Sequence, residues 1–488
     1  MGALTRPGGA QASASRFHVL IVGGGASGVL LAAQLLERGG RRASVTILEK
    51  GAMLGCGVAY STPDPQHFLN TRAANMSAYP DRPDHFADWL NEQPGDSGGA
   101  QDFVPRATYG RYMQSLLDPW EGTPALTCLH AECVRLEIGA TGVTAQLASG
   151  ERVEGDLAVL ATGHALPAPA GTPGLSQPWS DPAPAGRGDV LIVGSGLTMV
   201  DQALSLLASG HQGTITAISR HGLLPQVHRP TQPMSLRAEE LPSPMRIATL
   251  MRWLRAQART REAAGGDWRD AVDGLRPHIQ AIWRALPLAS RRSFLHHASA
   301  CWEVHRHRMP PASYERLTEA LALGRLRLLR GRFEAAAVTD SGRLVVIIAE
   351  PGGHHRTIPV SRIIDARGVR RDPEAHATPL VADLLASGEA RVDPLRLGLD
   401  VDADCAVVRA DGSASGRLFA LGPASRAAFW EITAIPDIRL QAAQLAERLL
   451  DAASPVPEKA ASAGSAGRSK DVLPDGRSLE WLGPPFAP

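Results

Sequence analysis

The chain has 488 residues, of which 50 are basic (Lys or Arg) and 49 are acidic, so its formal net charge is +1 at pH 7. This length accommodates two or three domains, and the balanced charge excludes a general affinity for nucleic acids or anionic membranes. The five cysteines form no C-x-x-C pair, which excludes a dithiol relay and favours a reducing, cytoplasmic location. No apolar run reaches the roughly 18 residues that cross a bilayer, so we expect no membrane partner.

A first glycine-rich turn follows an apolar strand near the start of the chain. The segment HVLIVGGGASGVLLAAQLL has Gly23, Gly25 and Gly28 in the G-x-G-x-x-G register. In this motif the glycines permit the tight turn, the approach of the backbone to a pyrophosphate and the close packing of helix on strand. The helix, which is predicted to begin near Ser27, directs its free amides at the phosphates. The next strand, SVTIL, ends in Glu49, whose carboxylate suits the ribose hydroxyls of a dinucleotide.

A second turn of the same kind lies roughly 170 residues further on, a spacing that accommodates one domain. The segment DVLIVGSGLTMVDQALSLL has Gly194 and Gly196 in register, with Met199 at the third glycine position. The strand that follows, GTITAIS, ends at Ser219 and Arg220, with no acidic residue at the ribose position. A hydroxyl and a guanidinium suit a 2′-phosphate, so NADPH is favoured over NADH. The alternative is that Arg220 is an ordinary solvated arginine at a strand end.

Two dinucleotide sites in one chain predict a flavoprotein, in which the first site holds FAD and the second docks the nicotinamide cofactor that reduces it. The predicted fold class is α/β, with two Rossmann-like dinucleotide-binding domains for FAD and NAD(P)H and a helical insertion. The insertion is indicated by the helical patterns MRIATLMRWLRAQ and RDAVDGLRPHIQAIWRAL. The predicted boundaries are a flexible tail at 1–15, an FAD domain at 16–165 and 395–451, an NAD(P)H domain at 166–234 and 326–394, the insertion (a candidate substrate cap) at 235–325, and a largely disordered tail at 452–488.

Two further turns are candidates for contact with the flavin. The strand in GDLAVLATGH ends at Thr162 and Gly163, where small residues let the chain pass close to a cofactor. The segment GRLFALGPASRAAFWEITAIPDIRL predicts a strand, a turn at Gly422 and a long helix whose dipole is directed at the flavin. In this segment Trp430 is a candidate for stacking on the isoalloxazine or on a flat substrate, and the alternative is a core tryptophan.

Several segments together resemble one family, the bacterial FAD/NAD(P)-binding flavoproteins grouped with FAD-dependent urate hydroxylase and the aspartate-type amino-acid N-monooxygenases. The resemblance covers about residues 17–450, and its motifs are more specific for the fold and FAD than for the substrate. It implies that Tyr60, His67, Asn70 and Met76 lie in the flavin pocket. The segments that carry it are LGCGVAYSTPDPQHFLNTRAANMSAYP, FVPRATYGRYMQ, ATGH, VGSGLTMVD, SRHGLLPQVHRP, CWEVHRHRMPP and ALGPASRAAFWEITAIPDIRLQA.

The densest polar cluster is a run of four basic residues before a Met-Pro-Pro sequence, and it is the candidate substrate site. Its members are His305, Arg306, His307 and Arg308. The run suits an anionic substrate or the NADPH phosphate, and the alternative is a solvated basic helix end. The pair His296-His297 has no acidic or cysteine partner at ligand spacing, so no metal site is predicted.

These features predict a FAD-dependent NAD(P)H monooxygenase that hydroxylates a small, polar, nitrogen-containing substrate with O₂. Urate, converted to 5-hydroxyisourate, is the specific prediction. The alternatives are an amino-acid N-monooxygenase, an NAD(P)H:acceptor oxidoreductase and a non-catalytic flavin-binding redox sensor. Because the cofactor performs the oxygen chemistry, few catalytic side chains are required, and the sequence assigns none. It predicts no oligomeric state.

Overall fold

The computed structural model of the protein describes residues 16–93, 98–164, 171–179, 186–242, 246–368 and 372–453. The predicted tail at 1–15 and nearly all of the tail at 452–488 lie outside the described residues. So do residues 165–170 and 180–185, most of which belong to the start of the predicted NAD(P)H domain.

The described residues form strands and helices, partly in alternation and partly in long consecutive runs of one type. The strands are β1 Phe17–Val22, β2 Ala43–Glu49, β3 Leu126–His130, β4 Cys133–Ile138, β5 Val143–Leu147, β6 Arg152–Gly155, β7 Leu157–Leu160, β8 Leu175–Ser176, β9 Val190–Val193, β10 Ile215–Ser219, β11 Leu326–Arg330, β12 Arg332–Val338, β13 Leu344–Ala349, β14 His355–Val360, β15 Arg362–Asp365, β16 Ala406–Val408 and β17 Ala414–Ala420. The helices are α1 Ala26–Gly39, α2 Gly57–Tyr60, α3 His85–Asn91, α4 Arg106–Ser115, α5 Leu197–Ala208, α6 Ile247–Ala263, α7 Trp268–Leu275, α8 Ile279–Ala285, α9 Leu288–Ser293, α10 Ser299–Arg306, α11 Pro311–Ala322, α12 Pro379–Ala386 and α13 Ile435–Ala453.

The first dinucleotide-binding sheet has six strands in the order β16-β17-β7-β1-β2-β3. All of its pairs are parallel except β16 with β17. The residues of β1 and β7 are largely buried because a parallel sheet is covered on both faces, which explains their unbroken apolar sequences. Helix α13 packs against α1, so the end of the described chain returns to the sheet with which it begins.

The second sheet has five strands in the order β11-β10-β9-β15-β8, and its pairs are all parallel. Each of the two sheets is accompanied by a three-stranded antiparallel sheet, β4-β5-β6 before β7 and β12-β13-β14 before β15. The two halves therefore repeat one order of elements. This architecture confirms the predicted α/β class with two Rossmann-like units.

The helical insertion packs as a separate apolar cluster. Helices α6, α7, α8 and α10 contribute most of it, and Leu397, Ala427 and Trp430 from the C-terminal part of the chain complete it. Helix α11, in contrast, packs on α5, and its Leu317 and Ala320 are buried in the core of the second sheet. The insertion therefore lies against the turn that precedes α13. No helix among the described residues is long and apolar enough to cross a membrane.

Candidate dinucleotide sites and the adjoining cavity

The first glycine turn has the backbone geometry that the motif requires. Gly23 has φ +108°, and a Cβ atom on it would overlap the carbonyl oxygen of Ala161. A Cβ on Gly28 would overlap the carbonyl oxygen of Gly23. Both positions therefore need glycine, the first for its turn and the second for the packing of α1 on β1.

A narrow slot lined by backbone lies at the start of α1. A Cβ on Gly25 would stand 3.4 Å from the Cα of Gly57, and one on Gly57 would stand 3.5 Å from the Cα of Gly25. Gly25 is the N-cap of α1 and supplies no side-chain cap, so no side chain at this position satisfies the first amides of the helix. Free amides and the positive end of a helix dipole beside such a slot fit a pyrophosphate.

Glu49 holds the glycine turn in place. Its carboxylate accepts hydrogen bonds from the amides of Gly24, at 2.6 Å, and Gly51, at 2.5 Å. A carboxylate has about four acceptor positions, so two remain for ribose hydroxyls. The predicted ribose contact of Glu49 remains a prediction, with the end of β2 as its location.

Two other predicted turns meet the start of α1. Gly163 has φ +68°, and the backbone of Thr162 adjoins Gly23. Gly422 has φ +63°, and a Cβ on it would overlap the hydroxyl of Ser27. These turns therefore close around the predicted FAD phosphate site from two sides.

The turn at Gly422 depends on a residue that sequence reasoning missed. The side chain of Gln441, on α13, accepts a hydrogen bond from the Gly422 amide at 2.8 Å and donates one to the Ser425 hydroxyl at 2.9 Å. Its only sequence signal is a polar residue on the buried face of an amphipathic helix.

The second glycine turn repeats the construction of the first. Gly194 has φ +123°, and a Cβ on it would overlap the carbonyl oxygen of Ala366. Ala366 begins a turn with Gly368 at φ +78°, the counterpart of the turn at Gly163. A Cβ on Gly196 would meet nothing within 4 Å, so open space adjoins the N-terminus of α5. Sequence reasoning missed the turn at Ala366, although the strand-then-glycine pattern RIIDARG was available.

Two arginines flank the end of β10. Arg220 is exposed, and the Cα register pairs Ser219 with Arg330, the exposed last residue of β11. The Ser219 hydroxyl hydrogen-bonds with the Ser195 hydroxyl at 2.8 Å, which connects the end of β10 to the second glycine turn. No described residue forms a hydrogen bond or ion pair with the guanidinium of Arg220 or Arg330. Arg330 is thus a second phosphate candidate that sequence reasoning missed, because it lies on a strand distant in sequence.

Two of the residues placed near the flavin by resemblance belong to the apolar core of the first sheet: Met76 lies in it, and Tyr60 packs against it. Met76 is buried, and its carbonyl accepts the Tyr109 hydroxyl at 2.9 Å. The ring of Tyr60 packs edge-on against Tyr109 with 4.8 Å between centroids. Burial raises the pKa of Tyr60 to about 12, although the positive charge of Arg106 opposes this shift.

The other two residues placed near the flavin by resemblance, His67 and Asn70, lie where the first half of the chain contacts the second. The ring of His67 hydrogen-bonds with Thr62, at 2.6 Å, and with Ser205 of α5, at 2.9 Å. Burial lowers its pKa, against the effect of the nearby carboxylate of Asp64. The carbonyl of Asn70 accepts a hydrogen bond at 2.8 Å from the Nε2–H of His228, whose pKa burial lowers to about 4. The loop therefore joins the two halves, and its predicted contact with flavin is untested.

The four basic residues of the predicted substrate cluster do not converge. Arg308 forms a two-pronged ion pair with Asp273, at 2.7 and 3.0 Å, and Arg306 donates to Glu431 at 2.9 Å. His307 lies 3.2 Å from the carboxylate of Glu303, and the Nδ1–H of His305 donates to the carbonyl of Cys301 at 2.7 Å. Each member therefore has its own partner. The proposed role of the cluster in substrate binding remains a prediction.

Trp430 is enclosed by other side chains. Its indole stacks on Trp283 with 4.7 Å between ring centroids and meets Phe294 edge-on. The guanidinium of Arg426 lies 4.7 Å from the Trp430 centroid. The indole N–H of Trp430 is buried without a hydrogen-bond partner. The stacking partner seen for Trp430 is thus another tryptophan.

Glu431 follows Trp430 with φ +68°, a conformation that a non-glycine residue rarely adopts. Its carboxylate is buried and accepts hydrogen bonds from the indole N–H of Trp302 and from Arg306. These bonds tie the segment after Gly422 to α10 of the insertion. Strained backbone of this kind persists where the surroundings fix it, and often at functional sites.

A cavity of about 40 Å³ lies inside the insertion, next to this segment. Of its twelve lining residues eight are aliphatic or methionine and four are aromatic, namely Trp283, Phe294, Trp302 and Trp430. No charged side chain is among them. Elsewhere in the described ranges no three His, Cys, Asp or Glu side chains are grouped so that they could hold a metal ion.

Comparison with known proteins agrees with a fold that has two dinucleotide-binding units. Residues 20–165 match the family described as FAD-NAD(P)-binding. No curated protein sequence matches the chain. In fold, the chain is similar to the reduced form of the ornithine hydroxylase PvdA from Pseudomonas aeruginosa, with 15% identity, a TM-score of 0.60 and coverage of 90% of this chain and 99% of that one.

Two other solved structures are similar over the same share of the chain. The ornithine N-hydroxylase KtzI of Kutzneria sp. 744, in a structure with reduced FAD, NADP⁺ and L-ornithine, has 14% identity and a TM-score of 0.56, with 90% of this chain and 100% of that one covered. The bacillithiol disulfide reductase Bdr of Bacillus cereus has 12% identity and a TM-score of 0.54, with 90% and 100% covered.

The fold is that of FAD/NAD(P)-binding flavoproteins with two dinucleotide-binding units. The predicted cofactors, FAD with NAD(P)H, agree with the family that residues 20–165 match. At these identities the structural similarities establish the fold alone, and the reaction is argued from the site.

Proposed function

We propose that the protein is a FAD-dependent NAD(P)H monooxygenase that hydroxylates a small nitrogen-containing molecule. The observation that carries this proposal is the duplicated turn. Gly23 against Ala161 and Gly194 against Ala366 build the same backbone geometry on two separate sheets. One chain therefore offers two dinucleotide sites, as a flavin reduced by a nicotinamide requires.

FAD fits the first site, because the start of α1 has no side-chain cap, so its first amides and its dipole are available to a pyrophosphate, and Gly25 and Gly57 keep side chains away from it. The residues that would hold the cofactor are Gly23, Gly25, Ser27, Gly28, Glu49, Thr162, Gly163 and Gly422. When bound, the flavin supplies hydride acceptance and the reaction with O₂. The chain itself binds, orients and shields it.

NADPH fits the second site. The open space at Gly196 and the free N-terminus of α5 suit a pyrophosphate, and Arg220 and Arg330 suit a 2′-phosphate. This assignment extends the sequence prediction by one residue, Arg330.

Hydroxylation of an amine nitrogen is better supported than hydroxylation of urate. Urate would need several converging cationic donors, whereas Arg306 and Arg308 are each paired with a carboxylate. The similar ornithine hydroxylases share this fold, and their reaction is carried over here as part of the proposal. Urate therefore becomes the second candidate.

A disulfide reductase has weaker support. All five cysteines are free thiols, and none of them stands in a C-x-x-C pair. Three of them, Cys56, Cys133 and Cys405, are buried, and burial raises their pKa values, which lowers their reactivity. A flavin-binding sensor without turnover would not need the second turn, which is fully formed.

The test uses the FAD-loaded protein with NADPH and a panel of ornithine, lysine, aspartate and urate. NADPH oxidation, O₂ uptake and substrate loss are followed together. The proposal expects one amine to accelerate all three with matching stoichiometry. If reduced flavin passes electrons only to added acceptors, the NAD(P)H:acceptor oxidoreductase alternative replaces the monooxygenase proposal. If NADPH does not reduce the flavin, the redox-sensor alternative replaces it.

A further inference from the structure

An exposed cysteine of the insertion lies beside a histidine. Cys301 and His305 are four residues apart on α10, so their side chains share one face of the helix. The Sγ of Cys301 lies 3.8 Å from the Nδ1 of His305, within reach of a hydrogen bond to sulfur. The Nδ1–H also donates to the carbonyl of Cys301 at 2.7 Å, so two acceptors of one residue share it. The ring of Trp268 meets the imidazole edge-on, with 4.8 Å between centroids, and holds it next to the thiol.

A row of exposed arginines lies on α6, which borders the same cavity as α10. Arg252, Arg255 and Arg259 are three and four residues apart, so they share one face of this helix. No described residue forms a hydrogen bond or an ion pair with their guanidinium groups. Leu254 of α6 and Trp302 of α10 both line the cavity, next in sequence to Arg255 and Cys301. These cations are therefore available to an anion that approaches the insertion.

The surroundings of Cys301 are positive. Residues 246–308 contain twelve arginines and five acidic residues, a net charge of +7 with histidines neutral, in a chain whose total is +1. The hydrogen bond from His305 lowers the pKa of the Cys301 thiol, burial opposes this shift, and the charges of His305 and Arg255 lower the pKa further. Reactive thiols occupy such positive and accessible surroundings, because the thiolate is the nucleophile.

Cys128 is the other exposed cysteine, and its surroundings differ. It lies on β3, where burial and the negative charge of Glu121 raise the pKa of its thiol. The remaining three cysteines are buried, with raised pKa values. Cys301 is therefore the one thiol of the five that combines exposure with a lowered pKa.

We propose that Cys301 is a site of S-thiolation by anionic low-molecular-weight disulfides, which the arginines of α6 attract. The thiol loses its proton to solvent, and the thiolate attacks one sulfur of the disulfide. A bond forms between that sulfur and Cys301, and the S–S bond of the reagent breaks. The other half leaves with the electron pair of that bond and takes up a proton. The sulfur of Cys301 is oxidised and the leaving sulfur is reduced, so no further oxidant is required.

The test uses the FAD-loaded protein without NADPH, so it does not depend on the proposed monooxygenase function. The protein is incubated with glutathione disulfide, which is negatively charged, or with cystamine, which is positively charged. Peptide mass spectrometry gives the rates of modification at Cys301 and Cys128. The ratio of the two rates within one sample cancels the intrinsic reactivity of each reagent.

With glutathione disulfide, Cys301 should react about tenfold or more faster than Cys128, since the thiolate fraction near neutral pH changes about tenfold per unit of pKa. With cystamine the ratio should be severalfold smaller, because the arginines repel this reagent. A ratio near one with glutathione disulfide, or an equal ratio with cystamine, overturns the proposal. This comparison needs no variant, so it decides even if the variants below fail to fold.

The role of His305 is tested by His305→Leu, which removes the hydrogen bond to sulfur and keeps an apolar side chain beside Trp268. The rate at Cys301 should fall severalfold with both reagents, while the rate at Cys128 stays unchanged. His354→Leu, at an exposed histidine just before β14, is the matched control and should change neither rate. An unchanged rate at Cys301 in His305→Leu contradicts the proposal.

The role of the arginine row is tested by two triple variants that remove the same charge from exposed arginines. One is Arg252→Gln/Arg255→Gln/Arg259→Gln on α6, and the other is Arg41→Gln/Arg42→Gln/Arg343→Gln elsewhere on the surface. The α6 variant should lose the preference of Cys301 for glutathione disulfide over cystamine, and the other variant should keep it. If both variants keep the preference, or both lose it, the arginines of α6 do not attract the reagent and the proposal is wrong.

Discussion

The guanidinium of Arg106 lies 2.8 Å from the carboxylate of Asp201, across the boundary between the two dinucleotide-binding units. Arg106 begins α4 on the first unit, and Asp201 is on α5, which begins at the second glycine turn. Both side chains are largely buried, at 14% and 9% exposure. Burial raises the pKa of Asp201 to about 6, and the charge of Arg106 only partly offsets it.

The raised pKa predicts a pH dependence of stability that Asp201→Asn removes. Between about pH 4 and pH 6 the folded state holds a proton on Asp201 that the unfolded state has lost. The contribution of protonated Asp201 to the free energy of unfolding is therefore complete below the unfolded pKa of 3.8 and is lost as the pH rises through about 6. The change is on the order of 3 kcal/mol at 1.36 kcal/mol per pKa unit. Urea unfolding of the parent and of Asp201→Asn at several pH values checks this dependence. If the free energies of unfolding of the two proteins change with pH in the same way, the prediction is wrong.

The slot at the first turn predicts that Gly25→Val loses FAD. The branched side chain would occupy the space beside Gly57, so the purified variant should be colourless and less stable, while the parent is yellow. Gly416→Val is the matched control, because Gly416 lies in β17 with nothing within 4 Å of an added Cβ. Flavin absorbance per protein is the measurement, and a Gly25→Val protein with full FAD content contradicts the assignment.

The two arginines at the end of β10 predict selection of NADPH. A guanidinium on a phosphate contributes on the order of 1.5–3 kcal/mol, so Arg220→Ala or Arg330→Ala should lower kcat/KM for NADPH about ten- to a hundredfold. Kinetics with NADH should change little. Arg343→Ala removes an exposed arginine just before β13, away from β10, and serves as the control. Equal losses with both nucleotides would show that neither arginine contacts the phosphate.

The ion pair of Arg308 with Asp273 predicts a structural role for this arginine. Arg308→Ala should reduce the free energy of unfolding by about 1.5–3 kcal/mol, since two charge-assisted hydrogen bonds of a buried side chain are lost. The KM for substrate should stay unchanged in the protein that remains folded. Arg152→Ala, in an exposed pair with Glu137, should change stability little. A raised KM with unchanged stability would restore Arg308 to the substrate site.

Local patterns in the sequence predicted most of the fold. The two strand–turn–helix segments, the helices of the insertion and the strand before Gly163 all depend on short-range periodicity and glycine chemistry, which sequence displays directly. The turn at Ala366 was missed because Arg367 interrupts the run of small residues, although Gly368 has the required positive φ.

The candidate site was less predictable because its contacts join distant parts of the chain. Arg330 meets Ser219 only through the pairing of β10 with β11, and Trp430 meets Trp283 only when the insertion folds back. The run from His305 to Arg308 suggested one cationic surface. Its members instead pair with carboxylates and a carbonyl, and the partners Asp273 and Glu431 are far away in sequence.

The most direct test of the monooxygenase proposal is incorporation of oxygen from ¹⁸O₂. The FAD-loaded protein is incubated with NADPH, ¹⁸O₂ and the amine that most accelerates NADPH oxidation, and the product is analysed by mass spectrometry. The account predicts a hydroxylated product that carries one ¹⁸O atom per NADPH consumed. Consumption of NADPH with hydrogen peroxide as the sole oxygen product, or a product labelled from water, would contradict it.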